Sequence, residues 1–458
     1  AWHKPLSTIR EKGNNMKIRL KLYTYTLLLF VLIGSSSCKN RNGNNQNRPN
    51  IIIFFTDDQG YADVGSYGAE GFDTPHLDQL ASQGIKFTNF YVPATVCTPS
   101  RAGLLTGRYP KRYGLHEAVL FPFSKQGLPA NEYTMAEMLR EGGYSTSCIG
   151  KWHLGHQEEF MPNNQGFDTF YGVPYSNDMD NHYYKGIDFQ SPPLPLYRNT
   201  ELIERGPDQQ FLTKKYTEEA IQQIRNRGEK PFFMYLAHNM PHTPLHVSPA
   251  FKDKSEIGLY GDVIMELDWS AGEIVRVLKE EGIYEKTIFI FTSDNGPEVG
   301  SAKPLRGRKA QTWEGGQRVP GIITWPGQIP KGIVSDEIVS TLDLFPALAN
   351  ISSSKIPKGL ILDGTDISAF LLAPETVKLQ ERPLYYYARN GDLEAIRLGK
   401  WKLHLKKSLG WDEKAKGNFQ MSLYDLELDR AEKNNVVKQF PEIVEQLTSL
   451  SEAFDDSL

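Results

Sequence analysis

The chain is poor in cysteine, with three in 458 residues. Three thiols cannot build a disulfide framework, so Cys38, Cys97 and Cys148 must each be read singly. It also lacks an excess of charge of either sign: Lys plus Arg number 51 and Asp plus Glu 55, a formal net charge of −4. That balance argues against a nucleic-acid partner, because no surplus of basic side chains is available to neutralise phosphates. Long apolar runs are missing too. The stretch Leu22–Ile33 is broken by two Thr and two Tyr and is too short to span a bilayer comfortably. With a mean hydropathy of −0.44, a polytopic membrane protein is excluded. There is no internal repeat and no coiled-coil heptad. What remains is an ordinary globular composition, 40% hydrophobic and 23% charged, long enough to bury a large core without staples. The 39 Gly and 28 Pro suit an enzyme with many shaped loops.

Residues before Met16 show no periodic pattern. From Met16, Lys17, Arg19 and Lys21 precede the apolar stretch, as in a secretory signal. The following GSSSC, ending at Cys38, resembles a bacterial lipoprotein cleavage site, although Ser35 stands where that site prefers Leu. Plain signal cleavage near Ser37 is the alternative. Either reading implies export to the periplasm, or attachment to the outer membrane of a bacterium through a lipid on Cys38. NRNGNNQNRPN then forms a polar tether without core-forming residues. Residues 1–48 are therefore read as signal and tether, 49–365 as a catalytic domain, and 366–458 as a smaller α+β subdomain.

Four short apolar runs predict buried strands: NIIIFFT (50–56), YSTSCIG (144–150), PFFMYLA (231–237) and TIFIFT (287–292). Helical spacing lies between them, in TPHLDQLASQG with its Thr cap, NEYTMAEMLREGG, YTEEAIQQIRNRG and YGDVIMELDWSAGEIVRVLKEEG. The alternation predicts an α/β fold: a large, mainly parallel but mixed sheet sandwiched by helices. Past about residue 365, LYYYARN, LEAIRLGKWKLHLKK and SLYDLELD predict a smaller antiparallel sheet, closed by the helix PEIVEQLTSLSEAF.

Parallel sheets bind ligands beyond the carboxyl ends of their strands. Asp57 and Asp58, Lys151 and His153, His238 and His242, and Asp294 and Asn295 follow the four predicted strands. Turn or cap duty would explain any one pair; four such ends together point to a site. Asp57, Asp58, Asp294 and Asn295 offer hard oxygens suited to Ca²⁺ or Mg²⁺, and crowded carboxylates need a cation between them. CTPSRAGLLTGR (97–108) places Cys97 at the start of a short helical pattern, where the dipole would lower a thiol's pKa. A soft thiolate suits a hard cation poorly. That conflict disappears if Cys97 is converted to an oxygen-bearing group.

CTPSR followed by LLTGR resembles the signature of the type I sulfatases, C-x-P-S-R. FFTDDQG, GKWHLG, SDNG and LRGRKAQTWEGGQRVP resemble further motifs of that family, in family order. The resemblance implies the alkaline-phosphatase-like superfamily fold and an arylsulfatase-like sulfuric ester hydrolase. It implies that a maturation enzyme oxidises Cys97 to formylglycine (3-oxoalanine), whose hydrate is the nucleophile and also touches the metal. Asp57, Asp58, Asp294 and Asn295 would hold that metal, calcium ahead of magnesium. Arg101 would hold the aldehyde hydrate, and Lys151 and Lys309 would grip sulfate oxygens. Arg306 and Arg308 compete with Lys309 for that role; Lys309 is preferred for standing five residues before Glu314. His153 would act on the formylglycine hydroxyl, His242 would face the leaving oxygen, and Ser176 would lie on the sulfate side. The implied substrate is a sulfate ester on a polysaccharide or oligosaccharide fragment. Two alternatives stay open: phosphate or phosphonate ester hydrolysis on the same fold, and a catalytically dead glycan-binding protein. Trp152 is the aromatic expected to shape the pocket. Cys148 is expected to be a buried inert thiol, Asp268 a solvated helix-face residue, and Tyr385, Tyr386 and Tyr387 strand core.

Overall fold

The computed structural model describes residues 48–117, 119–180, 192–411 and 418–458. The signal-like segment and Cys38 lie outside the described residues. Among those described, no helix is long and apolar enough to cross a membrane.

β1 (Asn50–Thr56) is apolar at consecutive positions because both of its faces are covered. Ile51, Ile53 and Phe55 enter one core, and Ile52 and Phe54 enter another on the opposite face. Asn50 ties its start to both neighbours. Its amide donates to Thr287 at 3.3 Å and its carbonyl accepts from the Phe232 backbone at 3.2 Å.

Nine further strands complete the sheet: β2 (Ile85–Tyr91), β3 (Ser145–Lys151), β4 (Thr169–Val173), β5 (Pro195–Arg198), β6 (Glu201–Arg205), β7 (Phe232–Ala237), β8 (Thr287–Ser293), β9 (Arg318–Thr324) and β10 (Ile333–Ser340). Their order is β10-β2-β9-β8-β1-β7-β3-β4-β5-β6. The four strands expected from the sequence are β1, β3, β7 and β8. They sit side by side at the centre, all parallel, so their carboxyl ends share one edge. β9 runs antiparallel to both β8 and β2, and β5 and β6 add antiparallel strands at the far edge, which makes the sheet mixed. These strands gave weak signals for physical reasons. β9 reads RVPGIIT, with Pro and Gly interrupting its pattern, and β6 is exposed throughout.

Helices Pro75–Ser82, Leu212–Arg225 and Leu259–Glu280 pack on one face of the sheet. Helices Cys97–Thr106, Met135–Glu141 and Leu344–Ser352 pack on the other. Thr134 starts the second of these with a full capping box to Glu137. The Thr cap expected at Thr74 is not made. Thr74 Oγ1 accepts from Gly65 N instead, and the buried Asp268 carboxylate caps that helix, accepting from His76 N and Leu77 N at 3.2 and 2.8 Å. Asp268 is therefore a buried cap rather than a solvated residue.

A separate antiparallel sheet contains β11 (Leu384–Tyr387), β12 (Leu393–Leu398), β13 (Trp401–His404) and β14 (Ser422–Asp425) in that order. Helix Pro441–Asp455 covers it, its Leu447 sharing one buried core with Tyr385, Tyr387, Ile396, Leu403 and Leu423. The tyrosine run is buried, as its strand position implies. The fold class read from the sequence is the one observed.

One glycine controls the approach to the sheet's active edge. Gly150, the penultimate residue of β3, has φ of +102°, and a Cβ there would lie 1.9 Å from the Ala237 carbonyl oxygen. Gly150→Ala must push β3 away from β7 in the turn that aims Lys151. The expected result is little soluble protein, and any recovered fraction should melt well below wild type in a thermal scan.

Candidate active site

Parallel pairing brings distant residues to one edge. Past β1 the chain turns at Asp58, whose φ of +65° is a left-handed conformation that Asp tolerates better than most residues. Backbone bonds from Asp57 N to Met240 O and from Asp294 N to Thr56 O lock the neighbouring strand ends to it. Asp58 N also donates to Asp294 Oδ1 at 3.0 Å. Cys97 opens its helix directly above, 1% exposed, with Sγ 3.3 Å from Asp57 Oδ1.

Ligand atoms of Asp57, Asp58, Cys97 and Asp294 all lie within 4.8 Å of one another. Asn295 joins them, its amide nitrogen donating to Asp58 Oδ1 at 2.6 Å. Its buried Oδ1 has no hydrogen-bond partner. A desolvated, unpaired carbonyl oxygen is costly unless something positive meets it. The donor set is thus oxygen-rich, anionic and incompletely satisfied, which fits a divalent hard cation.

Three cations surround these carboxylates. Arg101 donates through Nε and Nη2 to Asp294 Oδ2 at 3.0 and 2.8 Å, and Nη2 also lies 3.2 Å from Asp57 Oδ1. Lys151 Nζ is 2.5 Å from Asp57 Oδ2 and 3.2 Å from Ser176 Oγ. Lys309 Nζ is 2.7 Å from Asp58 Oδ2. His242 Nε2 stands 3.6 Å from the same oxygen, with Nδ1 held by the Thr243 carbonyl. Of the two basic residues competing for Lys309's place, Arg306 instead donates to Glu432 O and stacks over Trp313, while the Arg308 side chain is exposed.

Burial and charge set the protonation states together. Burial favours the neutral form of Asp57, but Lys151, His242 and Arg101 hold its pKa well below the usual carboxylate range. Asp294 is pushed up to about 7 by burial and by Asp57 beside it. Burial also opposes charge on Lys309, yet Asp58 overcomes it and raises the ammonium's pKa well above the ordinary value. His153 is held well below its ordinary value by burial, Lys151 and Arg101, so its imidazole is neutral. His153 Nε2 lies 2.9 Å from Leu120 O, and its buried Nδ1 has no partner. For Cys97 the structure reverses the expectation from the helix terminus. Burial, Asp294 and Asp57 raise the thiol's pKa well above the ordinary value. An unmodified Cys97 is a protonated, unreactive thiol here.

Trp152, expected to shape the pocket, is fully buried instead. Its Nε1 donates to Phe160 O at 2.8 Å and its ring packs edge-on against Phe167. Cys148 is buried within β3, as expected of an inert thiol. His238 lies between Phe54 and Tyr216, near Ser270, away from the charged cluster.

Sequence reasoning gave no hint of how Lys309 is held. The segment between Arg306 and Glu314 belongs to no strand or long helix and borrows its support from the small sheet. Every polar group of Thr312 is engaged there. Its N donates to Ser408 Oγ at 2.8 Å, its Oγ1 to Glu394 Oε2 at 2.6 Å, and its carbonyl accepts from Lys402 Nζ at 2.8 Å. The buried Lys402 also pairs with Glu314 at 3.0 Å and Glu432 at 3.1 Å. Tyr91, Tyr386 and Arg318 complete the shell around Glu314. These contacts join residues about 80 to 120 positions apart, so no local pattern announces them.

The family model described as Sulfatase matches residues 49–352. Human arylsulfatase A is 41% identical over 381 residues, spanning 78% of this chain and 74% of its own length. The N-acetylgalactosamine-6-sulfatase of Canis lupus familiaris is 36% identical over 396 residues, covering 81% and 74%. A crystal structure of Ps i-CgsB in complex with k-i-k-neocarrahexaose is 31% identical, with a TM-score of 0.77, covering 89% of this chain and 92% of the other. The five motifs, the fold and these likenesses agree, and the chain belongs to the sulfatase family of sulfuric ester hydrolases.

Proposed function

We propose that the protein is an exported sulfatase that removes sulfate from a sulfated polysaccharide or oligosaccharide, with Cys97 matured to formylglycine and a calcium ion held by Asp57, Asp58, Asp294, Asn295 and residue 97. The observation that carries this reading is the convergence of four ligand groups within 4.8 Å, ringed by Lys151, Lys309 and Arg101. The carbohydrate part is supported by relatives whose names specify N-acetylgalactosamine 6-sulfate and by a neighbour solved with a neocarrahexaose.

A bound calcium ion would neutralise the carboxylates and polarise a sulfuryl oxygen, and the aldehyde hydrate would supply one hydroxyl to attack sulfur and a second to release it. A serine lacks that second hydroxyl and would stay trapped as its sulfate ester.

The rest is work for side chains already in place. Lys151 and Lys309 lie against Asp57 and Asp58 and would turn toward sulfate oxygens once a cation satisfies those carboxylates. Charged donors aimed at developing charge are commonly worth about 3–4 kcal/mol each in the transition state. Ser176, beside Lys151, would add a neutral donor on the same side. Arg101 holds Asp294 and Asp57 and is aimed at the start of the Cys97 helix, where it would orient the hydrate. His242, fixed through Nδ1, presents Nε2 to the cluster and would protonate the departing sugar oxygen. The neutral His153, with an unpartnered Nδ1, can accept the proton from the hydroxyl that remains.

Two measurements test the reading. Mass spectrometry of the Cys97 peptide from the native host should show a loss of about 18 Da, the exchange of hydrogen sulfide for one oxygen. A panel of defined sulfated saccharides should yield free sulfate from at least one. An unmodified thiol in active enzyme, or a faster rate on 4-nitrophenyl phosphate than on 4-nitrophenyl sulfate, would overturn it. Chelation gives a further expected outcome. Dialysis against a calcium-selective chelator should remove at least about 90% of sulfate-ester turnover, and added Ca²⁺ should restore it better than Mg²⁺, because clustered carboxylates favour the larger ion's flexible geometry. Turnover that survives metal-free dialysis would count against the calcium assignment.

A further inference from the structure

Trp411 is a bulky indole held in place yet 49% exposed. Its Nε1 donates to Glu298 Oε2 at 3.0 Å. The Arg389 guanidinium lies 5.2 Å from its ring centre, and Arg389 Nε donates to Gly410 O at 3.0 Å. Gly410 packs so closely on Gln311 that a Cβ there would come within 2.9 Å of Gln311 Cγ. Both anchor points belong to the chain that builds the sulfate site. Glu298 follows the cluster residue Asn295 by three positions, and Gln311 follows Lys309 by two. A backbone of three residues reaches at most about 11 Å, so both anchors that hold the indole stay close to the cluster, within the span of a short oligosaccharide.

Several other aromatic side chains near this edge are used internally, whereas Phe123 is 68% exposed and stacks on Phe121. Trp152 and the tyrosines of β11 are buried, and Trp313 carries Arg306 on one face. Trp411 also carries an arginine, Arg389, but its hydrogen-bonding edge is satisfied and 49% of its surface remains in water. A pyranose ring has the matching character, with an apolar C–H face and a rim of hydroxyls. Covering the indole with such a face removes apolar surface from water on both partners. A ring already fixed by Glu298 and Arg389 loses little freedom on binding.

We propose that Trp411 is a stacking platform for a pyranose ring of the substrate other than the one bearing the scissile sulfate, with Glu298 accepting hydroxyl protons from that ring. The proposal rests on the carbohydrate reading above and adds a subsite built from Trp411 and Glu298. It predicts that the enzyme distinguishes oligosaccharides from sulfated monosaccharides, and that it does so through a residue outside the catalytic cluster.

The test uses the full chain as wild type, Trp411→Ala and Trp411→Phe, with 4-nitrophenyl sulfate as reporter. Disaccharides, tetrasaccharides and hexasaccharides of iota-carrageenan and of chondroitin 6-sulfate serve as competing probes. For at least one series the longer probe should inhibit wild type about tenfold more strongly than the disaccharide. Trp411→Ala should erase that advantage and Trp411→Phe should keep part of it, while turnover of the aryl sulfate alone stays within about twofold in both variants. An undiminished length advantage in Trp411→Ala, or no advantage of length in either series, overturns the proposal. Failure of the carbohydrate reading itself would look different: no probe of any length would inhibit or release sulfate, and the platform would fall with it.

Discussion

Cys97→Ala is expected to lose at least about four orders of magnitude of sulfate-ester turnover while remaining folded. The side chain is 1% exposed and begins a helix whose residues are all buried, so alanine fits the backbone and leaves only a small void beside Asp57. Removing one sulfur atom removes a protonated thiol whose closest contact with the cluster is a weak bond to Asp57 Oδ1 at 3.3 Å. The melting temperature should therefore stay close to wild type. Activity should collapse because Lys151, Lys309, Arg101 and His242 can bind and polarise an ester but cannot attack it. Cys97→Ser should fare little better, giving at most a single turnover. A slow first turnover followed by a stalled, sulfated serine, seen by intact mass, would be the sharpest sign that two hydroxyls on one carbon are required. If Cys97→Ala retains more than about one per cent of wild-type kcat, residue 97 is not the nucleophile.

Much of this site could be read before any coordinates, for a reason rooted in parallel sheets. The central strands β8, β1, β7 and β3 are covered on both faces, so their sequences are plain apolar runs, and the residues that follow them stand out by contrast. Asp57, Asp58, Lys151, His242, Asp294 and Asn295 are visible in that way. Cys97, Arg101, Ser176 and Lys309 are not, since they lie on a helix and on loops; only their motifs marked them. Edge strands such as β6 and β10, exposed or half-exposed, carry no such contrast. The raised thiol pKa was beyond sequence reasoning because it depends on Asp57 and Asp294, 40 and 197 positions away. The exposed indole at Trp411 was equally silent, since nothing around position 411 says which distant carboxylate it meets.

Lys402→Met should destabilise the fold by about 3–5 kcal/mol, the usual cost of removing one member of a buried ion cluster. Lys402 Nζ has no solvent contact and joins three acceptors, Thr312 O, Glu314 Oε1 and Glu432 Oε1. Methionine fills similar volume but leaves two carboxylates and a carbonyl facing each other without that cation. Arg318 and Arg397 still serve Glu314, and His404 still meets Glu432, so the loss should fall short of complete unfolding. Urea titration measures the cost directly. Adding Glu432→Gln to Lys402→Met should recover part of it, because the second change removes the charge that the first left unpaired. A loss below about 1 kcal/mol would mean that water reaches the cluster and replaces the ammonium.

The threefold fastening of Thr312 carries a lesson for anyone recombining such proteins. Residues Glu394, Lys402 and Ser408 lie beyond the 49–352 stretch that the family model matches, yet they fix the backbone three positions from Lys309. Trimming the chain to the matched stretch, or grafting the terminal sheet of a cousin onto it, would unmoor an ammonium in the reaction centre even with every motif intact. Chimaeras should therefore exchange the 306–314 segment and its distant clasp as one cassette.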